Sequence, residues 1–385
     1  MPHHDITTVA AESQGRNGKE RDNDTRAETS RHTDRYHPRR RRSGTAGGTG
    51  RIEPPAGRHA VWREFSMKRE TKKGSRAMWG LIYGAAFTGV FLLSAIFKMT
   101  YDPLGTQVDW SGAVGTVYTD LSYGEGPANK FDLYLPADDT KEAYGLVVYL
   151  HAGGFTAGDK SDDAEILKWL CSRGYAAAGV NYTLLSEGHP AASVYSQSVE
   201  IRESIPYIAA EAEKRGYHLD RMAVAGGSAG GCLALIYAYR DGPSSPIPVK
   251  MVFEAVGPAS FHHEDWTCYG LDKSSEAASV LFSAMSGNVI TPAMIESNDY
   301  AAEVRDISAD IWVNEHSVPT LCAYGTHDRI CPFPAVRPLL DALEKNGVPY
   351  DCIEFPHSGH GLQNDGRQAR LYQEKILEYL ERYLG

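Results

Sequence analysis

Met222-Ala223-Val224-Ala225-Gly226-Gly227-Ser228-Ala229-Gly230 is the stretch that decides how this chain is read. Met222 to Ala225 is a short apolar run with strand character, and Cys232 to Tyr239 has helical character. Between them, Gly226 to Gly230 fits G-x-S-x-G. A serine on so sharp a strand-to-helix turn is forced into a strained backbone that exposes its hydroxyl. Glycines flank it because a Cβ there would strike the neighbouring strand and helix. The following helix also points its positive end at any oxyanion that forms. Ser228 is therefore the candidate nucleophile, and the amide of Ala229 a candidate oxyanion donor. A Gly-rich helix start that merely packs closely is the plainer alternative; the strand before it and the helix after it favour the nucleophile.

Outward from this turn, strand-like and helix-like segments alternate from about residue 109 to residue 385. Strands are expected at Lys130–Leu135, Gly145–Leu150, Tyr175–Tyr182, Lys250–Ala255, Pro319–Tyr324 and Tyr350–Phe355. Helices are expected at Ala164–Cys171, Val194–Arg215, Ala335–Lys345 and Gly366–Leu384. That alternation predicts an α/β fold, a mostly parallel sheet flanked by helices. Lys130–Leu135 alternates as a strand with one wet face would, whereas Gly145–Leu150 is nearly all apolar, as an interior strand would be. Residues 261–318 break the pattern with helical pieces such as Ser275–Ala284, and are expected to form a lid over the active edge.

A serine hydroxyl needs a base, and the base needs an orienting carboxylate. Asp328 follows one expected strand and His360 the next, so both fall at the sheet edge that holds Ser228. His357 and His327 compete for the role of base. The glycines beside His360 let its ring reach across the sheet, which favours it. Asp351 and Glu354 lie within a strand and are less free to reach than Asp328. His151-Ala152-Gly153-Gly154 directly follows an earlier strand. The amides of Gly153 and Gly154 are placed to stabilise an oxyanion, with His151 holding the loop by a side-chain hydrogen bond. An ordinary Gly turn is the alternative there.

These motifs together carry a resemblance. His151 to Gly154 resembles the H-G-G-G oxyanion motif of hormone-sensitive-lipase-like esterases. Val180-Asn181-Tyr182-Thr183-Leu184 resembles the V-D-Y-R-L of that branch, and Gly227 to Gly231 its G-x-S-A-G-G. The likeness implies an α/β-hydrolase fold over roughly residues 131–384 and a carboxylesterase or lipase activity. The chain departs at Ala152, Asn181 and Thr183; because the oxyanion donors are main-chain groups, Ala152 leaves them intact. The expected reaction is hydrolysis of small-molecule carboxylic esters through an acyl-enzyme on Ser228. A peptidase of the same fold and a membrane-anchored, non-catalytic binding protein are the rivals. No cofactor is implied. His262-His263-Glu264-Asp265 invites a metal, but adjacent loop residues seldom converge on one ion, so none is expected. Trp266, Tyr269, Leu281 and Phe282 suit either an acyl pocket or the packing of the lid.

The 385 residues carry a formal charge of −10, unevenly spread. Residues 1–76 sum to +8 and the remainder to −18, so an acidic body excludes nucleic acid as the main partner. The basic arm 1–76 lacks any helical or strand period and is expected to be disordered. Met67, before Lys68-Arg69, offers an alternative start. Ala77 to Phe97 is 21 residues without a charge, enough to span a bilayer. Lys72, Lys73 and Arg76 precede it, so an uncleaved anchor with a cytoplasmic N-terminus and an exported enzyme is expected. All six cysteines follow this stretch in no metal-binding spacing, and buried free thiols are expected. No feature of the sequence sets an oligomeric state.

Overall fold

Eight strands form one sheet in the order β1-β2-β4-β3-β5-β6-β7-β8 in a computed structural model of the chain, which describes residues 107–385. The strands are β1 Gly115–Ser122, β2 Lys130–Pro136, β3 Tyr144–Leu150, β4 Ala176–Val180, β5 Leu219–Gly227, β6 Val249–Ala255, β7 Thr320–Gly325 and β8 Tyr350–Phe355. β1, β2 and β4 pair antiparallel; every pairing from β4 through β3 to β8 is parallel. The expected mostly parallel α/β sheet is therefore present. The β1 edge is an addition to the expected strands. Its alternation is broken by a bulge between Tyr118 and Leu121, where Asp120 sits at φ 56°.

β2 corrects a second expectation. It has no wet face: residues 131–136 are all buried, Asp132 included. The carboxylate of Asp132 accepts the amide of Asp120 at 2.8 Å and meets the buried Lys160 ammonium at 3.2 Å. A polar residue in such an alternation reads as facing water, but this one is paired inside the protein instead.

Helices cover both faces: α1 Ala164–Ser172, α2 Val194–Glu213, α3 Ala229–Ile236, α7 Arg337–Lys345 and α8 Gly366–Leu384. α8 buries Ile376, Tyr379, Leu380 and Leu384, one stripe of a 3.6-residue period against the sheet. α2 begins at a capping box in which Ser193 and Ser196 bond each other's amides. Between β6 and β7 lies the expected insertion, built from α4 Ser275–Ser286, α5 Pro292–Ser297, α6 Ala309–Trp312 and short 3₁₀ turns. Phe261, Trp266, Phe282 and Tyr300 stack or meet edge-on at its centre. Phe282 is fully buried and Trp266 nearly so, in one core cluster with the sheet face and helices on which the insertion packs.

The basic arm 1–76 and the apolar stretch 77–97 lie outside the described residues. Among the described residues, no helix is long and apolar enough to cross a membrane.

Candidate active site

Ser228, Asp328 and His360 sit at the C-terminal edge of the parallel strands, because each is carried on the segment that follows one of them, β5, β7 and β8. β5 ends at Gly227, and Ser228 caps α3 with φ 53° and ψ −119°. That is a strained conformation for a residue with a Cβ. Two glycines make it sterically possible. A Cβ on Gly226 would lie 2.5 Å from the Gly230 backbone, and one on Gly230 only 1.9 Å from the Leu150 carbonyl oxygen. The elbow is thus wedged against the end of β3, where the oxyanion motif begins.

That motif, too, is held by its backbone. Gly153 adopts φ 128°, and a Cβ there would stand 2.0 Å from the Ala157 carbonyl oxygen. Gly154, at φ 60°, would carry its Cβ into open space. Among the described residues, no acceptor engages the amides of Gly153, Gly154 or Ala229. Three unspent donors beside a nucleophile suit a charge that exists only in the transition state. The amide of Ser228 is already committed to Ala255 O at 2.8 Å. His151 is buried, its Nδ1–H donating to Ala152 O at 2.7 Å and its ring stacked 4.2 Å from that of Tyr182. Burial pushes its pKa down, which keeps it neutral within its own loop.

Asp328, His360 and Ser228 form one continuous chain of contacts. His360 Nε2 lies 2.8 Å from Ser228 Oγ, and its Nδ1 lies 2.8 Å from Asp328 Oδ2. With a carboxylate at Nδ1, that nitrogen carries the proton and Nε2 accepts from the serine hydroxyl. The Asp328 side chain is fully buried, and its Oδ1 accepts the amides of Ile330 and Cys331 at 2.8 and 3.0 Å. Gly325 lets the two loops approach, since a Cβ there would lie 2.4 Å from Gly359 O. His327 stands aside, its ring facing Thr326 Oγ1. His357 pairs with Asp365 at 2.8 Å.

The remaining candidates have other partners. His263 contacts the Tyr300 hydroxyl at 3.2 Å, while His262 faces Asp310 at 3.6 Å. Tyr269 donates its hydroxyl proton to Ile330 O at 2.9 Å, which ties the insertion to the loop carrying Asp328. The six cysteines are free thiols; four are buried, while Cys268 and Cys352 are partly exposed.

Sequence reasoning missed the supports of this site. Asn181 is one. Its Oδ1 accepts the Lys160 amide at 2.6 Å and its Nδ2 donates to Asp159 Oδ2 at 2.6 Å, bracing the end of the oxyanion loop. Asp365 is another: it takes hydrogen bonds from the His357 amide, the His357 ring and the Ser358 hydroxyl, all on the loop that carries His360. Asn181 stands where the related motif has Asp, which is a readable signal. Asp365 has none, because its partners adjoin it only once the loop has closed.

Residues 131–343, more than half the chain, match the BD-FAE family. The chain belongs to that family. This BD-FAE protein is also a member of the broader α/β-hydrolase group of carboxylesterases and lipases. It is 24% identical over 260 residues to a probable carboxylic ester hydrolase, LipM, of Mycobacterium tuberculosis. It is likewise 24% identical over 267 residues to a probable isoprenylcysteine alpha-carbonyl methylesterase, ICMEL1, of Oryza sativa subsp. japonica. Those matches cover 65% and 66% of the chain, and 58% and 60% of the two relatives. Among solved structures, a truncated carbohydrate esterase from gut microbiota shares the fold at a TM-score of 0.58 and 18% identity, covering 71% of the chain and 98% of its own. Esterase B of Lactobacillus rhamnosis does so at 0.53 and 20%, covering 77% and 93%.

Proposed function

We propose that this BD-FAE chain is a serine carboxylesterase that hydrolyses small-molecule carboxylic esters through an acyl-enzyme on Ser228. The unbroken Asp328–His360–Ser228 contact chain, beside amides without acceptors, carries this reading. His360 Nε2 takes the hydroxyl proton as Oγ attacks the ester carbonyl. The amides of Gly153, Gly154 and Ala229 then face the new oxyanion, each worth about 3–4 kcal/mol to the transition state. Asp328 stabilises the imidazolium, which returns its proton to the leaving alcohol. Water repeats the sequence and releases the acid, leaving Ser228 as it began. The ester-hydrolase names of the similar proteins support the same bond type. The uncharged stretch 77–97 supports a further proposal, that the enzyme is anchored in a membrane.

The test is Ser228→Ala on short p-nitrophenyl esters, with fluorophosphonate labelling of the parent protein. The expected result is a labelled Ser228 peptide and a loss of about 10⁴-fold or more in kcat with folding intact. An unlabelled wild type, or a variant that still turns over ester, would overturn the reading.

A further inference from the structure

Glu254 is the one carboxylate on the β6 strand beside the nucleophile, and it is completely buried. It pairs in register with Gly226 on one side and Cys322 on the other, directly beneath the elbow. Its Oε2 accepts the amide of Gly257 at 2.8 Å. Its Oε1 is buried without a partner among the described residues. The titratable groups that share its face of the sheet are the hydroxyls of Tyr239 and Tyr324 and the thiols of Cys232, Cys322, Cys331 and Cys352, none of them a cation, while Tyr372 on the opposite face donates to the Glu254 main-chain oxygen. A carboxylate here would be a buried charge with no countercharge, so the neutral acid is the form the site tolerates.

The turn that Glu254 grips is itself strained and touches the nucleophile. Val256, a β-branched residue, sits at φ 53°, where such side chains are genuine outliers. Something must hold it there. On one side, Ala255 O receives the Ser228 amide at 2.8 Å; on the other, Tyr324 donates its hydroxyl proton to Gly257 O at 2.7 Å. Gly257 is pressed on the first turn of α3, since a Cβ on it would lie 2.6 Å from the Gly231 carbonyl carbon. A Cβ on Gly231 would stand 2.9 Å from Glu254 Oε2. The second glycine after the nucleophile is therefore the space that the Glu254 carboxyl occupies.

We infer that Glu254 is a positioning residue: as a neutral acid it clasps the strained turn at Val256 and Gly257, and through Ala255 O and the α3 contact it fixes Ser228 in its attacking conformation. This rests on the esterase reading. Because the Tyr324 proton is already committed to Gly257 O, its oxygen faces Glu254 as an acceptor. A glutamine can copy the neutral acid, with its oxygen toward Gly257 N–H and its NH₂ toward Tyr324. A carboxylate cannot.

The test compares wild type, Glu254→Gln and Glu254→Ala in full pH profiles of kcat and KM on a p-nitrophenyl ester. Burial, opposed by the hydrogen bond from the Gly257 amide, pushes the Glu254 pKa up to about 8. Wild-type kcat should therefore fall on an alkaline limb near that value, and the limb should be missing from Glu254→Gln while its kcat near neutrality stays close to wild type. Glu254→Ala should lose about tenfold or more in kcat with KM little changed, since misplacing a reacting group acts on the chemical step. An active wild type whose alkaline limb persists unchanged in Glu254→Gln overturns the inference, as does wild-type kcat in Glu254→Ala. If the alanine variant does not fold, the glutamine profile decides alone. A wild type inert to ester and to fluorophosphonate fails at the esterase reading instead, and the inference falls with it.

Discussion

His360 Nε2 and Ser228 Oγ stand 2.8 Å apart although 132 positions separate them in the chain. Parallel order makes this possible. β5 and β8 both deliver their loops to the same sheet edge, with β6 and β7 between them, and the loop after β8 is long enough to return over β7. Gly325, at the end of β7, lets that loop lie against the Asp328 turn.

Asp328→Asn should reduce kcat by about 10⁴-fold on a short-chain ester while KM changes little. The amide can donate to His360 Nδ1, which favours the tautomer that cannot take the serine proton. Oδ1 accepts two main-chain amides, so the variant also tests whether the loop survives. Circular dichroism and thermal melting check the fold; steady-state kinetics check the loss.

Asn181→Asp would put two carboxylates where Asn181 Nδ2 now donates to Asp159 Oδ2 at 2.6 Å. A hydrogen bond gives way to repulsion between like charges, a cost of about 1–3 kcal/mol near neutrality. Asp159 is otherwise held at a pKa of about 2: burial opposes ionisation, but hydrogen bonds from Asn181 and Ser161 outweigh it. In the variant, repulsion raises the pKa of one carboxyl, so stability should be regained as pH falls through that raised value. Melting curves from about pH 8 to about pH 4 check the direction. A deficit that is constant with pH would contradict the repulsion argument.

Lys160→Met should destabilise the domain by about 3 kcal/mol, because it strands the Asp132 carboxylate inside the protein. Lys160 Nζ meets Asp132 at 3.2 Å and Asp120 at 2.9 Å, and only Asp120 is exposed. Adding Asp132→Leu should restore most of the loss, since both charges are then gone. Urea titrations of the single and double variants read the difference.

How much of this could be read beforehand depends on how local each signal is. Tyr350–Phe355 and Gly366–Leu384 are bounded by their own periodicity and turns, and the structure starts and ends them at those residues. Ser228, Asp328 and His360 were legible because each follows its strand within a glycine-marked turn. Lys160, Asp132 and Glu254 were not. Charge along a strand, as at Asp132 and Glu254, or in a short helical turn, as at Lys160, reads as solvent exposure, and only the three-dimensional partner reveals otherwise. The strand at Gly115–Ser122 was hidden for a similar reason, since its bulge erases the period-two pattern on which recognition depends.

Glu254 also predicts a pH dependence of stability that is independent of turnover. Its folded-state pKa, pushed up to about 8 by burial, exceeds the ordinary glutamate value of 4.5. Between those values the folded chain holds one proton that the unfolded chain has released. Stability therefore falls as pH rises across that window and levels off above it. Asp163, pushed up to about 7 by burial and by the neighbouring Asp162 charge, adds a slope of the same sign. Glu254→Gln removes only the first contribution. The difference in melting temperature between Glu254→Gln and wild type should thus shift in favour of the variant from about pH 5 to about pH 8 and stay flat beyond, with the Asp163 contribution cancelling. Thermal melts of both proteins across that range measure it, and a difference that does not change with pH would mean that Glu254 is already ionised in the folded protein.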